Sequence, residues 1–303
     1  MSEQSHGAKL RRRAISGLLW FAPGLVPRLF NLTGPERAAW AMRARPHPVA
    51  RAGIVTFAVP LVGKHQVSDW DVVNTALART INSLIAQTDN RWRVVICGQD
   101  RPDAVDLDAR VNFIPFPDRP DSHDKVPKLD MLTVHCLTDA TPGFLMPLDG
   151  DDLLSRHLVA DILAHPTQGA LVSGGYIRDC ATGQVAPTRQ RSLSQIGQKP
   201  FWKFCGSCMA LPVGQDTVHE IAFFKGLTQH EHRLYPYLAN LAGISLRHME
   251  KPMALYQINH GQNFEARRGR GGFKTRFVAK YAVSDPEQLR QIAHDFALTE
   301  DQG

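Results

Sequence analysis

The chain has 303 residues, 43% hydrophobic and 21% charged, with a formal net charge of +6. This is ordinary globular composition, enough for one large α/β domain or two small ones. Residues 1–50 hold eight Lys/Arg against only Glu3 and Glu36, so the whole surplus sits in an N-terminal arm. A nucleic-acid reader would carry that charge on its folded domain, so no nucleic-acid partner is expected.

The five cysteines (Cys97, Cys136, Cys180, Cys205, Cys208) are odd in number and scattered. They suit a reducing cytoplasm and exclude a disulfide framework. Cys205-Gly206-Ser207-Cys208 has redox-motif spacing, but it lies deep in the chain instead of early in a βαβ unit. A second pair for a four-cysteine zinc site is missing. The cysteines are expected to be packing residues.

Residues 9–30 run from a basic cluster into mostly apolar residues, interrupted by Pro23 and Pro27. The stretch is too short to span a bilayer. It reads as a basic amphipathic segment on an anionic membrane face, giving a cytoplasmic protein peripheral on the inner face of the membrane. An N-terminal helix packed on the domain, or disorder, is the alternative. Arg43 to Gly53, with Pro46 and Pro48, reads as a linker. Ile54 to Pro60 is a β-rich apolar strand, and Pro60 to Val67 the loop at its carboxyl end. A helix follows with Val72, Val73, Ala76, Leu77, Thr80, Ile81, Leu84 and Ile85 on one face, capped by Ser68 with Asp71 and ending near Gln87 to Asn90. Strands at Trp92–Cys97 and Val111–Ile114 complete a βαβ beginning, hence a parallel sheet.

After a polar loop, Lys125 to Leu137 reads as a helix leading into the apolar run Phe144 to Leu148. That run ends in Asp149-Gly150-Asp151-Asp152, three carboxylates within four positions. Ligands of an open α/β sheet sit outside the carboxyl ends of its strands. Carboxylates crowded there repel and resist desolvation unless a positive group lies between them. A divalent metal holding a diphosphate answers this; a solvated acidic turn capping the next helix is the alternative. Leu158, Val159, Ile162 and Leu163 mark that helix. Ala170 to Ser173 reads as a short strand, Asp179 to Pro200 as a long flexible loop, and Phe201 to Val213 as apolar again.

Thr228 to His232 is expected to open a helix bearing Leu234, Tyr235, Leu238 and Leu241. Thr228 and Glu231 fit a capping box. A carboxylate held at a helix start can also serve as general base, and His230 and His232 beside it are capable of the same chemistry. Pro252 to Ile258 looks like a strand, followed by His260, a candidate metal or phosphate ligand or an ordinary surface-turn histidine. The tail from Ala266 to Lys280 is basic and glycine-containing, suited either to closing over a diphosphate or to a solvated, lipid-facing surface.

The order of these features resembles inverting, family-2-like glycosyltransferases. Leu148-Asp149-Gly150-Asp151-Asp152 is similar to that family's Asp-x-Asp metal motif. Gln229-His230-Glu231-His232 resembles the segment carrying its catalytic base, with His232 in place of a second acid. Tyr256-Gln257-Ile258-Asn259-His260 resembles its closing Tyr-x-x-x-His element. The match covers about residues 53–263. It implies a GT-A fold, a Rossmann-like, mostly parallel mixed sheet flanked by helices, over residues 51–263. The 1–50 arm and a basic 264–303 extension lie outside it. The implied activity is metal-dependent transfer of a sugar from a nucleotide-diphosphate donor to a glycan or lipid-linked acceptor. Asp149, Asp151 and His260 would hold Mn²⁺ or Mg²⁺. Pro60, Asp100, Lys128 and Asp149 would bind the donor, with Asp100 displaced from the family's base-reading position by Cys97-Gly98-Gln99. Glu231 would be the base, and Asp152, His230 and His232 acceptor-side residues of unassigned role. A nucleotidyltransferase would want a Gly-rich basic loop after the first strand, where only Gly63 and Lys64 stand. A non-catalytic glycan- or lipid-binding protein is the remaining alternative.

Overall fold

The computed structural model describes residues 5–45, 53–106, 109–120, 123–138, 141–189, 197–214, 216–261 and 272–298. Two linker prolines, Pro46 and Pro48, and the tail arginines Arg267, Arg268 and Arg270 lie outside them.

The chain opens with helix α1 (His6–Phe21), a 3-10 turn (Pro23–Leu25), α2 (Val26–Leu29) and α3 (Gly34–Arg43). Ile15, Leu19, Val26, Ala39 and Met42 belong to the main hydrophobic core. The N-terminal segment is therefore packed against the domain along one side. Helix α3 starts with a full capping box, Thr33 and Glu36 exchanging side-chain and backbone bonds.

Next come β1 (Ile54–Pro60), α4 (Trp70–Ile85), β2 (Trp92–Gly98) and β3 (Val111–Pro115), all three strands pairing in parallel. Val73, Ala76, Leu77, Thr80, Ile81 and Leu84 of the apolar stripe on α4 are buried, as its periodicity requires, whereas Val72 is half-buried and Ile85 at the end of the helix is exposed. Its cap is Asp69, whose carboxylate accepts from the Asp71 and Val72 amides, in place of the expected Ser68. Helix α5 (Lys125–Thr138) returns the chain to β4 (Gly143–Pro147), parallel to β1 on the side away from β2. The local order β3-β2-β1-β4 thus reverses between β1 and β4. The carboxyl ends of such neighbours diverge into a crevice.

β5 (Leu153–Leu154) and α6 (Leu158–Leu163) precede β6 (Gly169–Asp179) and β7 (Val185–Thr188). β6 has 11 residues, all buried, where the sequence suggests four. Gly174 and Gly175 interrupt the apolar run there, yet a Cβ at Gly174 would sit 2.0 Å from the Glu250 carbonyl oxygen. Close backbone approach at a bulge demands glycine at that point. β7 falls within the stretch expected to be a loop; of that stretch, residues 190–196 lie outside the described residues.

A 3-10 turn (Phe201–Lys203) leads to β8 (Met209–Val213), α7 (Thr217–Thr228), a second turn (His232–Leu234), α8 (Tyr235–Leu241) and β9 (Leu246–Ile258). Helix α7 has no counterpart in the sequence reading. Glu220, Phe223, Phe224 and Leu227 form its buried face, between α3 and α5, but a buried glutamate on that face and exposed Val218 off it blur the apolar stripe. β9 begins six residues before the expected Pro252, its first half masked by exposed Glu250 and Lys251. The sheet order is β3-β2-β1-β4-β8-β6-β9-β5, with β7 on β6. β4–β8, β8–β6 and β9–β5 are antiparallel and β6–β9 parallel. The fold is mixed α/β, a curled sheet whose longer pairings are parallel, flanked by helices and Rossmann-like in its first half.

Helices α9 (Gly272–Tyr281) and α10 (Pro286–Asp295) return to the body. Phe277 and Val278 pack with Ile177 and Ile258, and Ile292 and Phe296 with Tyr176 and Leu255. No helix among the described residues is long and apolar enough to cross a membrane.

Candidate functional site

A cavity of about 700 Å³ opens at the carboxyl ends of β1 and β4, the reversal point of the parallel strands. Pro60 and Leu61 line it from β1, Asp149 to Asp151 from β4, Lys125 and Lys128 from α5. Phe204 to Gly206, His230 to His232, Tyr235, Tyr256, His260 and Lys274 close it from the second half. Of the residues singled out from sequence, the fold thus brings Pro60, Lys128, Asp149, Asp151, His230, Glu231, His232 and His260 to one cavity.

The three aspartates divide. Asp151 is half-buried, and its Oδ2 lies 2.8 Å from His260 Nε2. Its backbone carbonyl accepts from Gln257 Nε2 at 2.7 Å, so β9 clamps the turn from both sides of its end. Asp149 Oδ1 accepts from Lys125 Nζ at 2.5 Å. Burial opposes the Lys125 charge, but the Asp149 carboxylate outweighs it and raises the ammonium above its ordinary range. Asp152 is fully buried under the turn. Its Oδ2 accepts from Ser207 Oγ at 2.5 Å and from the Cys205 thiol at 2.9 Å. Desolvation first, then the neighbouring Asp151 and Asp149 charges, push the Asp152 carboxyl well above its usual range. Asp152 is therefore a buried support beneath the turn.

Ser207 ties this support together, because its Oγ also accepts from the Asp149 amide at 2.9 Å. Cys205 and Cys208 are buried free thiols, raised by that burial. Cys205 therefore does more than fill space: it donates to Asp152 and lines the cavity.

Glu231 does not cap a helix. Thr228 ends α7, its Oγ1 donating back to the Lys225 carbonyl at 3.2 Å, and the Glu231 side chain caps nothing in the turn that follows it. The expected capping box is thus overturned: a helix that closes at Thr228 leaves no N-terminal amides for that pair to satisfy. Glu231 is exposed at the cavity rim. His232 turns inward, and its buried Nε2 has no hydrogen-bond partner among the described residues. Burial first, then Arg233 and Lys125, lower its pKa to about 4, so the ring is neutral.

Lys128 is buried to 1% exposure and serves structure. Its Nζ donates to the Leu61 carbonyl at 2.6 Å and pairs with Asp124 at 2.9 Å, fixing the loop after β1. Asp100 is not among the cavity-lining residues. It accepts from the Lys64 amide at 2.8 Å and from Arg119 at 3.0 Å. Burial opposes its ionisation, but these two bonds prevail and hold its carboxyl below the usual range. The carboxylate that reaches the cavity near the end of β2 is Asp124, which also accepts from Gln99 Nε2 at 2.5 Å. Lys274, from the basic tail, donates to the Tyr256 hydroxyl at 2.9 Å and lines the wall.

The residues missed from sequence are Lys125, Asp124, Ser207 and Cys205. Only Lys125 carried a signal: a lysine at the start of the helix feeding the acidic strand. Among the described residues, no three His, Cys, Asp or Glu side chains form a metal-holding group. Asp151 and His260 converge as a pair. An oxygen and an imidazole donor suit a divalent ion whose remaining positions are filled by phosphate and water, and Mg²⁺ bound to a diphosphate asks few ligands of its protein. Asp149 instead presents the Lys125 ammonium, a group that binds phosphate directly. Compared with models of known protein families and with curated proteins, the chain matches none.

Proposed function

We propose that the chain is an inverting glycosyltransferase of GT-A type, moving a sugar from a nucleotide-diphosphate donor to the hydroxyl of a glycan or lipid-linked acceptor. One observation carries the reading: the end of β4, the His260 turn and Glu231 meet at the mouth of one crevice at the sheet's reversal point. A diphosphate needs cationic or metal partners, and that crevice offers the Asp151–His260 pair and the Lys125 ammonium. Asp151 and His260 would hold Mn²⁺ or Mg²⁺. When bound, such an ion offsets charge developing on a leaving diphosphate.

The rest of the chemistry belongs to side chains. Lys125 orients the diphosphate as a fixed point charge while Asp149 keeps that charge in place. Asp124 lines the same cavity but is held by Lys128 and Gln99, so its part is to fix the loop that forms the wall. Glu231, exposed to the acceptor side, takes the hydroxyl proton as the acceptor oxygen attacks the anomeric carbon from the face opposite the departing phosphate. His232 remains neutral beside it and adds no competing positive charge. Asp152, buried under Ser207 and Cys205, holds the turn.

The test is a melting-temperature screen of nucleoside diphosphates and nucleotide sugars with and without Mn²⁺, since a ligand of the native state alone raises the transition. A stabilising nucleotide sugar is then offered with glycan and lipid-linked acceptors to wild type and Glu231→Gln. The expected result is ligand binding by both proteins and transfer slowed about 10²–10⁴-fold in the variant. Stabilisation by nucleoside triphosphates alone, or no response to any nucleotide, would overturn the reading.

A further inference from the structure

The outer face of the N-terminal helices is unlike the rest of the surface. Helix α1 buries Ile15 and Leu19 against the domain. Its opposite face carries Leu10, Gly17 and Phe21 at positions i, i+7 and i+11, which lie on one stripe of a 3.6-residue helix. Trp20 is 84% exposed and Phe21 91% exposed, at the point where the chain turns into α2. Leu29 on α2 is 65% exposed, and Leu10 and Leu25 are exposed as well. Ten large apolar side chains are exposed among the described residues, and half fall between Leu10 and Leu29. Such a concentration marks a contact surface rather than scattered exposure.

This face is not loosely attached. Arg11 forms a bidentate pair with Glu36 at 2.6 and 2.8 Å, and the Tyr237 hydroxyl donates to the same carboxylate at 2.7 Å. Burial opposes the charge on Glu36, but these donors prevail and lower its pKa to about 2. The knot ties α1 to α3 and α8, so rotation of α1 to hide Trp20 and Phe21 would break it.

We propose that this face docks on an anionic lipid surface. Lys9, Arg13 and Arg28 are exposed around the apolar stripe, and no acidic residue occurs between Glu3 and Glu36. Aromatic rings flanked by cations match the boundary between acyl chains and anionic headgroups. A second copy of the chain is a poorer occupant, because a two-fold contact would set these cations against one another. The inference is independent of the transferase reading, since binding to lipid requires no donor.

The experiment is co-sedimentation of the full chain with vesicles of phosphatidylcholine alone and of phosphatidylcholine with one-quarter phosphatidylglycerol. Binding is expected to the anionic vesicles and to fall as salt rises. Trp20→Ser with Phe21→Ser should lower partitioning at least tenfold at unchanged melting temperature, both side chains being solvent-exposed. Lys9→Gln, Arg13→Gln and Arg28→Gln together should lower it about a hundredfold at low salt. No binding to anionic vesicles, or binding unaffected by the Trp20/Phe21 pair, would overturn the proposal. So would a dimer that the same pair disperses in a protein that ignores lipid.

Discussion

His260 Nε2 and Asp151 Oδ2 lie 2.8 Å apart although 109 residues separate them. The contact is made by β9, which ends beside the β4 turn and also donates to it through Gln257. Asp151→Asn and His260→Ala should each slow sugar transfer about 10²–10³-fold, as expected for lost electrostatic stabilisation of a leaving group. The double variant should be little worse than either single one, because partners in one unit are not additive. Initial rates against Mn²⁺ concentration measure both points; full additivity would separate the two residues.

Lys125 lines the cavity beside Asp149. Lys125→Gln should weaken nucleoside diphosphate binding about 10–100-fold, the worth of one hydrogen bond to a charged group. Titration calorimetry reads this directly. Unchanged affinity would confine Lys125 to holding Asp149.

For Lys128 the expected loss is in stability. Lys128→Met removes the cation from buried Asp124 and a donor from the Leu61 carbonyl, at a cost of about 3–5 kcal/mol. Adding Asp124→Asn should recover part of it, since the orphaned charge is then gone. Urea unfolding of the three proteins settles whether this pair is structural.

His232 contributes a pH dependence of defined sign. Its folded pKa of about 4 lies below its unfolded value near 6.5. The unfolded state therefore binds more protons, and stability falls as pH drops from about 6.5 to about 4. His232→Gln should flatten the stability profile in that window. Urea midpoints at pH 7, 5.5 and 4 provide the check, and an unchanged slope would assign the loss to other groups.

The parallel half of the sheet was legible because its periods are clean. β1, α4, β2 and β4 each match an apolar run or stripe, since strands covered on both faces and a helix with one buried side leave those patterns. The second half was not. β6 carries Gly174, Gly175, Arg178 and Asp179 inside one buried strand, and α7 buries Glu220 while exposing Val218. Tertiary packing overrides local pattern in both. Glu231 shows the same limit from the other direction: Thr228 and Glu231 have capping-box spacing, yet another helix, α7, ends at Thr228, and the helix they were expected to open, α8, starts only at Tyr235.

At Asp149-Gly150-Asp151-Asp152 the primary structure by itself determined that carboxylates would stand at the carboxyl end of a buried strand, because an apolar run of strand length precedes them. It could not determine their division of labour. Lys125 from α5, His260 from beyond β9 and Ser207 with Cys205 from the β8 approach each select a different aspartate. Each environment follows from those partners and from burial, and both are properties of three dimensions: Asp149 is paired, Asp151 faces an imidazole, and Asp152 is buried with its carboxyl pushed above the usual range.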